Sequence, residues 1–213
     1  LLNWANENPD CYIVEDDYDS EFKYTGRPIP ALKANDINDK VIYLGSFSKS
    51  ISPAIRVSYL VLPKALLNVY QRELPYFICP VPTLNQKILY RFIKDGYFVK
   101  HINKMRTLYK KKREFLVNTI KTYSSKILNK EIQIQGADAG LHMIIKLNQK
   151  INEKLFLNEC LENSLKLYSL EEYNIEEIHR EKSYFLLGYA NLTNKEIEEG
   201  ILLMLKILKK YYI

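Results

Sequence analysis

Three short apolar runs near the N-terminus, at residues 11–15, 41–45 and 57–62, lack the strict alternation of a half-exposed strand. Runs of this kind fit strands covered on both faces. The first two also stop abruptly in polar side chains. One ends in Glu15-Asp16-Asp17-Tyr18-Asp19-Ser20-Glu21, the other in Ser46-Phe47-Ser48-Lys49-Ser50, with Arg56 seven residues beyond Lys49. In an open α/β sheet, side chains at the carboxyl ends of the strands line the crevice where ligands bind. If these strands are parallel neighbours, one pocket receives a carboxylate, a lysine, hydroxyls and an arginine.

Helical patterning follows Pro63 and recurs over about 82–95, where Gly96 breaks it. A long basic amphipathic segment then covers about 97–122. Beyond it the pattern predicts strands at 131–135, 140–147 and 184–189, and helices at 152–163 and 194–210. The expected organisation is an α/β chain in two domains. Residues 1–117 form the last part of a larger domain together with the long connecting helix, and residues 118–213 form a smaller α/β domain. The opening Leu1-Leu2-Asn3-Trp4 reads as the middle of a helix, and the chain has no initiating Met. A fragment, or a chain trimmed at its N-terminus, is therefore expected.

Composition narrows the field further. Apolar residues at 47% and charged residues at 26% are ordinary for a globular chain, and 7 Gly with 8 Pro exclude collagen-like or low-complexity architecture. No stretch approaches the roughly 18 consecutive apolar residues of a membrane span; the best, 201–208, is interrupted by Lys206. Membrane is thus not an expected partner. Three widely spaced cysteines (Cys11, Cys79 and Cys160) suit reduced thiols in a cytoplasmic protein rather than a disulfide framework. His101, His142 and His179 lack metal-ligand spacing, so no metal site is expected. Phosphate-loop, dinucleotide and serine-hydrolase motifs are all missing. Between residues 98 and 130 ten Lys or Arg face one acidic residue, Glu114. This local balance of +9 leaves −3 elsewhere in a chain of net charge +6. It is read as the solvated face of a long helix rather than a nucleic-acid footprint.

The side chains that end the first two runs match the needs of pyridoxal 5'-phosphate. Its aldehyde needs an amine, its pyridine nitrogen an anionic partner, its phenolic oxygen a donor, and its phosphate hydroxyls and a cation. The same residues carry a family resemblance. The segment from Val14-Glu15-Asp16-Asp17-Tyr18 to Tyr24, then Pro28-Ile29-Pro30-Ala31-Leu32, then Val41 to Ser50, resembles the MocR (GabR-like) subfamily of GntR transcriptional regulators. The likeness continues through Phe92 to Gly96, His101 to Arg106, Ala139 to His142 and Leu187 to Ala190, in order along nearly the whole chain.

The resemblance implies an aminotransferase-like domain of pyridoxal phosphate fold type I, present here as the end of the large-domain sheet plus the small C-terminal domain. Lys49 resembles the Schiff-base lysine, Asp16 the partner of the pyridinium nitrogen, and Tyr18 the tyrosine near the phenolic oxygen. Ser46, Ser48 and Arg56 resemble the phosphate-side residues. Asp17, Asp19 and Glu21 are expected to be solvated or capping residues. The resemblance further implies an amino-acid or amine effector or substrate, a homodimer, and DNA contacted only through an N-terminal winged helix outside this sequence. In catalytic aminotransferases an arginine usually stands two residues before the glycine of the late strand; Leu186 stands there, before Gly188. This favours an effector sensor, with transaminase chemistry left open. The alternatives are a catalytic class I/II aminotransferase acting on an amino acid, and a degenerate remnant with a structural role.

Overall fold

In the computed structural model, residues 1–17, 19–27, 29–174 and 181–211 are described. The chain divides into two compact units, Leu1–Met105 and Arg106–Ile213.

The first unit opens with a short helix, α1 (Leu2–Glu7), and is built on β1 (Ile13–Asp17), β2 (Val41–Ser46) and β3 (Ser58–Val61). These form a sheet in the order β1-β2-β3. β1 and β2 are parallel, with Asp16 opposite Leu44 and Asp17 opposite Gly45. β3 is antiparallel to β2, with Ser46 opposite Ser58 and Gly45 opposite Tyr59. The expected parallel pair is present. The third strand reverses because the eleven residues between β2 and β3, 47–57, fall short of the dozen or so that a parallel crossover needs. Coverage on both faces holds only in part. Val14 and Leu60 are 59% and 55% exposed, and every residue of β3 is exposed. Helix α2 (Phe47–Ser50) lies between β2 and β3, and α3 (Lys64–Glu73) and α4 (Thr83–Lys94) follow β3. α3 begins after Pro63 and α4 after Pro82, where a fixed φ and a missing N–H suit the entry to a helix.

Helix α5 (Tyr97–Leu128) starts in the first unit and ends in the second, six residues beyond the predicted end. Gly96, at φ +76, separates it from α4. Lys100, Lys104, Lys110, Lys111, Lys121 and Lys126 are exposed on it, as a solvated basic face requires.

The second unit carries an antiparallel sheet in the order β4-β5-β7-β6. Its strands are β4 (Gln133–Gln135), β5 (His142–Lys146), β6 (Tyr168–Ser169) and β7 (Tyr184–Gly188). Two helices, α6 (Glu153–Glu162) and α7 (Asn194–Leu208), complete it. Met143, Ile145, Phe185 and Leu187 alternate into the core, and Phe156, Cys160, Met204 and Leu205 of the helices are buried too. A capping box starts α7: Thr193 accepts from the Glu196 N–H, and the Glu196 carboxylate returns to Thr193. β6 has only two residues, too few for a period to show in the sequence.

Candidate functional site

β2 runs directly into the one-turn helix α2. Ser46, its last residue, caps that helix by accepting the Ser48 N–H at 3.2 Å. The Phe47 N–H donates to Val57 O at 3.0 Å, which brings Arg56, the residue before Val57, back beside the start of α2. Asp16 stands near the carboxyl end of β1, on the strand parallel to β2. The topology therefore gathers Asp16, Ser46, Ser48, Lys49 and Arg56 at one edge of the sheet. Tyr18 and His179 lie outside the described residues.

Period-2 alternation sorts the acids of β1. Glu15 and Asp17 share a face with Tyr43 and Tyr59, while Asp16 shares the other with Leu44 and Leu60. The Glu15 carboxylate accepts from the Leu32 and Lys33 N–H groups at 2.6 and 2.9 Å, holding the 3₁₀ turn Leu32–Asn35. Asp17 accepts from the Tyr43 hydroxyl at 2.7 Å and from Ser20 N and Oγ. Asp17 thus caps a turn, as expected, and also binds a tyrosine, which the sequence did not signal. Burial, then the Asp17 hydrogen bond, push the Tyr43 phenol well above its ordinary range. Asp36 accepts from the Lys40 and Val41 N–H groups and from Lys33, which also pairs with Asp39.

Against this background three charges stand out. Asp16, Lys49 and Arg56 are exposed, and among the described residues none of their side chains makes a hydrogen bond or an ion pair. Arg56 is also held in left-handed backbone, at φ +51 and ψ 38. Among the described residues of the first unit, one side-chain polar atom is buried without a partner: Ser50, next to Lys49, is 1% exposed and its Oγ has no hydrogen bond. The sequence offered no signal for Ser50.

In the second unit, Leu186 is half-buried on β7, opposite Ile144 of β5 and Tyr168 of β6. His142 lies opposite Gly188, and a Cβ at Gly188 would come within 3.2 Å of the His142 ring. Among the described residues no cluster of His, Cys, Asp or Glu could hold a metal ion, and no helix is long and apolar enough to cross a membrane.

Residues 2–201 match the family described as aminotransferase class I and II. The chain belongs to that family. Curated relatives of this aminotransferase-family chain include the HTH-type transcriptional regulator YdeL of Bacillus subtilis, 36% identical over 94% of this chain and 42% of its own length. The probable rhizopine catabolism regulatory protein MocR of Rhizobium meliloti is 29% identical, over 92% of this chain and 38% of its own length. An aromatic-amino-acid aminotransferase of Thermococcus litoralis is 26% identical, over 99% and 49%. Among solved structures, a multiple substrate aminotransferase from Thermococcus profundus superposes with a TM-score of 0.82 at 25% identity, over 98% of this chain and 50% of its own. A kynurenine aminotransferase from Pyrococcus horikoshii gives a TM-score of 0.81 at 24% identity, over the same shares. The fold is thus that of fold type I aminotransferases, and the chain spans about two fifths of the first two regulators and half of these enzyme structures.

Proposed function

We propose that this aminotransferase-like domain binds pyridoxal 5'-phosphate and senses an amine or amino acid within a MocR-type regulator. The observation that carries this reading is the set of unpaired charges. A sheet that ties down Glu15, Asp17, Asp36 and Asp39 leaves Asp16, Lys49 and Arg56 without partners at one edge. Those charges, with the hydroxyls of Ser46 and Ser48, fit a group bearing a protonated ring nitrogen, an aldehyde and a phosphate. When bound, the cofactor supplies an aldehyde for amine capture and a ring that draws electrons from the captured amine. Asp16 holds the ring nitrogen in its charged form, because an anion nearby favours a cation. Lys49 supplies the amine that carries the group. Arg56, Ser46 and Ser48 would hold the phosphate, and the family resemblance assigns Tyr18 to the phenolic oxygen.

Leu186 favours a sensor over an enzyme. A transaminase must hold the substrate carboxylate while a proton moves, and an aliphatic side chain forgoes a charge-assisted bond worth about 1.5–3 kcal/mol. The whole regulator would act in the cytoplasm as a homodimer, contacting DNA through the N-terminal winged helix that the family resemblance implies. The test is borohydride reduction of the complete protein with pyridoxal phosphate, followed by peptide mapping. The cofactor mass should appear on the Lys49 peptide and vanish in Lys49→Ala. Its appearance on another lysine would overturn the assignment, and steady keto-acid release from an amino-acid donor would replace sensor with enzyme.

A further inference from the structure

The single turn that bears Lys49 cannot set its own position. Four residues are far below the length at which a helix is stable by itself. Of Phe47, Ser48, Lys49 and Ser50, only Phe47 is large and apolar. Its ring packs on Tyr59 at 5.2 Å and edge-on against Phe98 at 5.8 Å. Phe98 in turn meets Phe92 of α4 edge-on at 6.4 Å. Tyr59 is fixed from the other side, where it packs against Tyr43 at 6.2 Å. It also lies over Gly45 so closely that a Cβ there would come within 2.6 Å of ring atom Cε1, and nearer still to Cζ and the hydroxyl. Gly45 is the residue before Ser46, so the bare backbone that admits the Tyr59 ring is the start of the strand-to-helix turn itself. Aromatic pairs in such tilted and edge-on arrangements are worth about 0.5–1.5 kcal/mol beyond the area they bury.

We propose that Phe47 and Tyr59, with Tyr59 seated on Gly45, are positioning residues that fix the Lys49 turn relative to Asp16 and Arg56. This inference rests on the reading of Lys49 as the cofactor-bearing amine. Neither aromatic touches the bound group; each acts through the turn. Phe47→Leu keeps an apolar side chain but loses the edge-on and tilted ring contacts. Gly45→Ala drives the Tyr59 ring off its seat. Tyr59→Phe keeps the ring, gives up only the hydroxyl's hydrogen bond with Tyr43, and serves as the conservative control.

The experiment uses the complete protein with pyridoxal phosphate as the probe. In Phe47→Leu and Gly45→Ala, affinity should fall about tenfold or more, since a misplacement of about 1 Å can cost about a hundredfold in geometry-dependent chemistry. The visible band should also shift in its pH midpoint, a change that looser packing alone would not cause. Tyr59→Phe should stay within about twofold of wild type, because the ring contacts survive. Amide hydrogen exchange of residues 47–51 without cofactor reads the same device independently. It should quicken in the first two variants while β1 amides keep their rates. Wild-type affinity and pH midpoint in Phe47→Leu would overturn the proposal. Unchanged exchange at 47–51 would overturn it too, whether or not the wild type takes up the probe. Failure of the wild type to take up pyridoxal phosphate would sink the cofactor reading alone and leave exchange to decide positioning.

Discussion

Asp36→Asn and Asp16→Asn make the same chemical change in one unit and should differ greatly in consequence. The Asp36 side chain is 1% exposed. Its Oδ1 accepts from Lys40 N at 2.9 Å, and its Oδ2 from Val41 N at 2.8 Å and Lys33 Nζ at 3.2 Å. An amide has one acceptor oxygen. Kept toward Val41 and Lys33, it turns an NH₂ against the Lys40 N–H and leaves two buried donors facing each other. Losing one bond to a charged group costs about 1.5–3 kcal/mol, and weakening the Lys33 contact brings the total to roughly 2–4 kcal/mol. For a chain of this size that is a fall in Tm of roughly 4–16 °C. Asp16 has no partner to lose, and an exposed substitution of that kind stays within about 0.5 kcal/mol. Trp4, the single tryptophan, lies in the same unit and reports its unfolding. Acidity supplies a second check. Burial would raise the Asp36 carboxyl pKa, but the Lys40 and Val41 amides and Lys33 outweigh it and hold the group below its ordinary range. Its stabilisation is therefore complete above the unfolded-state pKa of about 4 and disappears as pH falls through the lower folded value. The gap between wild type and Asp36→Asn should narrow over that acid window. Equal stability of the two variants at pH 7, or a gap indifferent to acid, would refute the division into tied and untied carboxylates.

Two further outcomes follow from burial. The Cys160 thiol is pushed up to about 12 by burial and then by the Glu159 charge, and the thiolate is the reactive form. Iodoacetamide at pH 8 should therefore label exposed Cys79 and reach Cys160 only in denaturant, as read by peptide mass. Ser50→Ala removes a buried hydroxyl that has no partner. It should leave stability unchanged or raise it by up to about 1 kcal/mol, since an unsatisfied polar group carries its desolvation cost alone. A loss of stability in urea unfolding would show that the hydroxyl is bonded.

The sequence was most informative where local chemistry decides the outcome. Pro63, Pro82 and Gly96 mark helix boundaries through φ and missing N–H groups, and the helices begin or break there. Motif spacing placed Asp16, Ser46, Ser48, Lys49 and Arg56 on one sheet edge, because strand ends in a parallel pair share that edge. What stayed hidden depends on register. Which of Glu15, Asp16 and Asp17 would be left unpaired follows from the faces that β2 and the turn Leu32–Asn35 present. The reversal of β3 cannot be read from the apolar run itself, which looks the same in either direction, although the short gap before it already argues against a parallel crossover. The seat of Tyr59 on Gly45 needs the pairing of two strands to exist at all.

Arg56 has a consequence for protein engineering. A non-glycine residue in left-handed backbone costs of order 1 kcal/mol or more, and glycine would relieve that strain at φ +51. Among the described residues the Asp16 and Lys49 side chains likewise make no hydrogen bond or ion pair. A redesign scored on the domain's own contacts would thus discard these three residues among the first, and its gain in thermal tolerance would come from erasing the proposed cofactor site. Libraries built to harden this scaffold should hold Asp16, Lys49 and Arg56 fixed and draw their changes from exposed positions of the second unit.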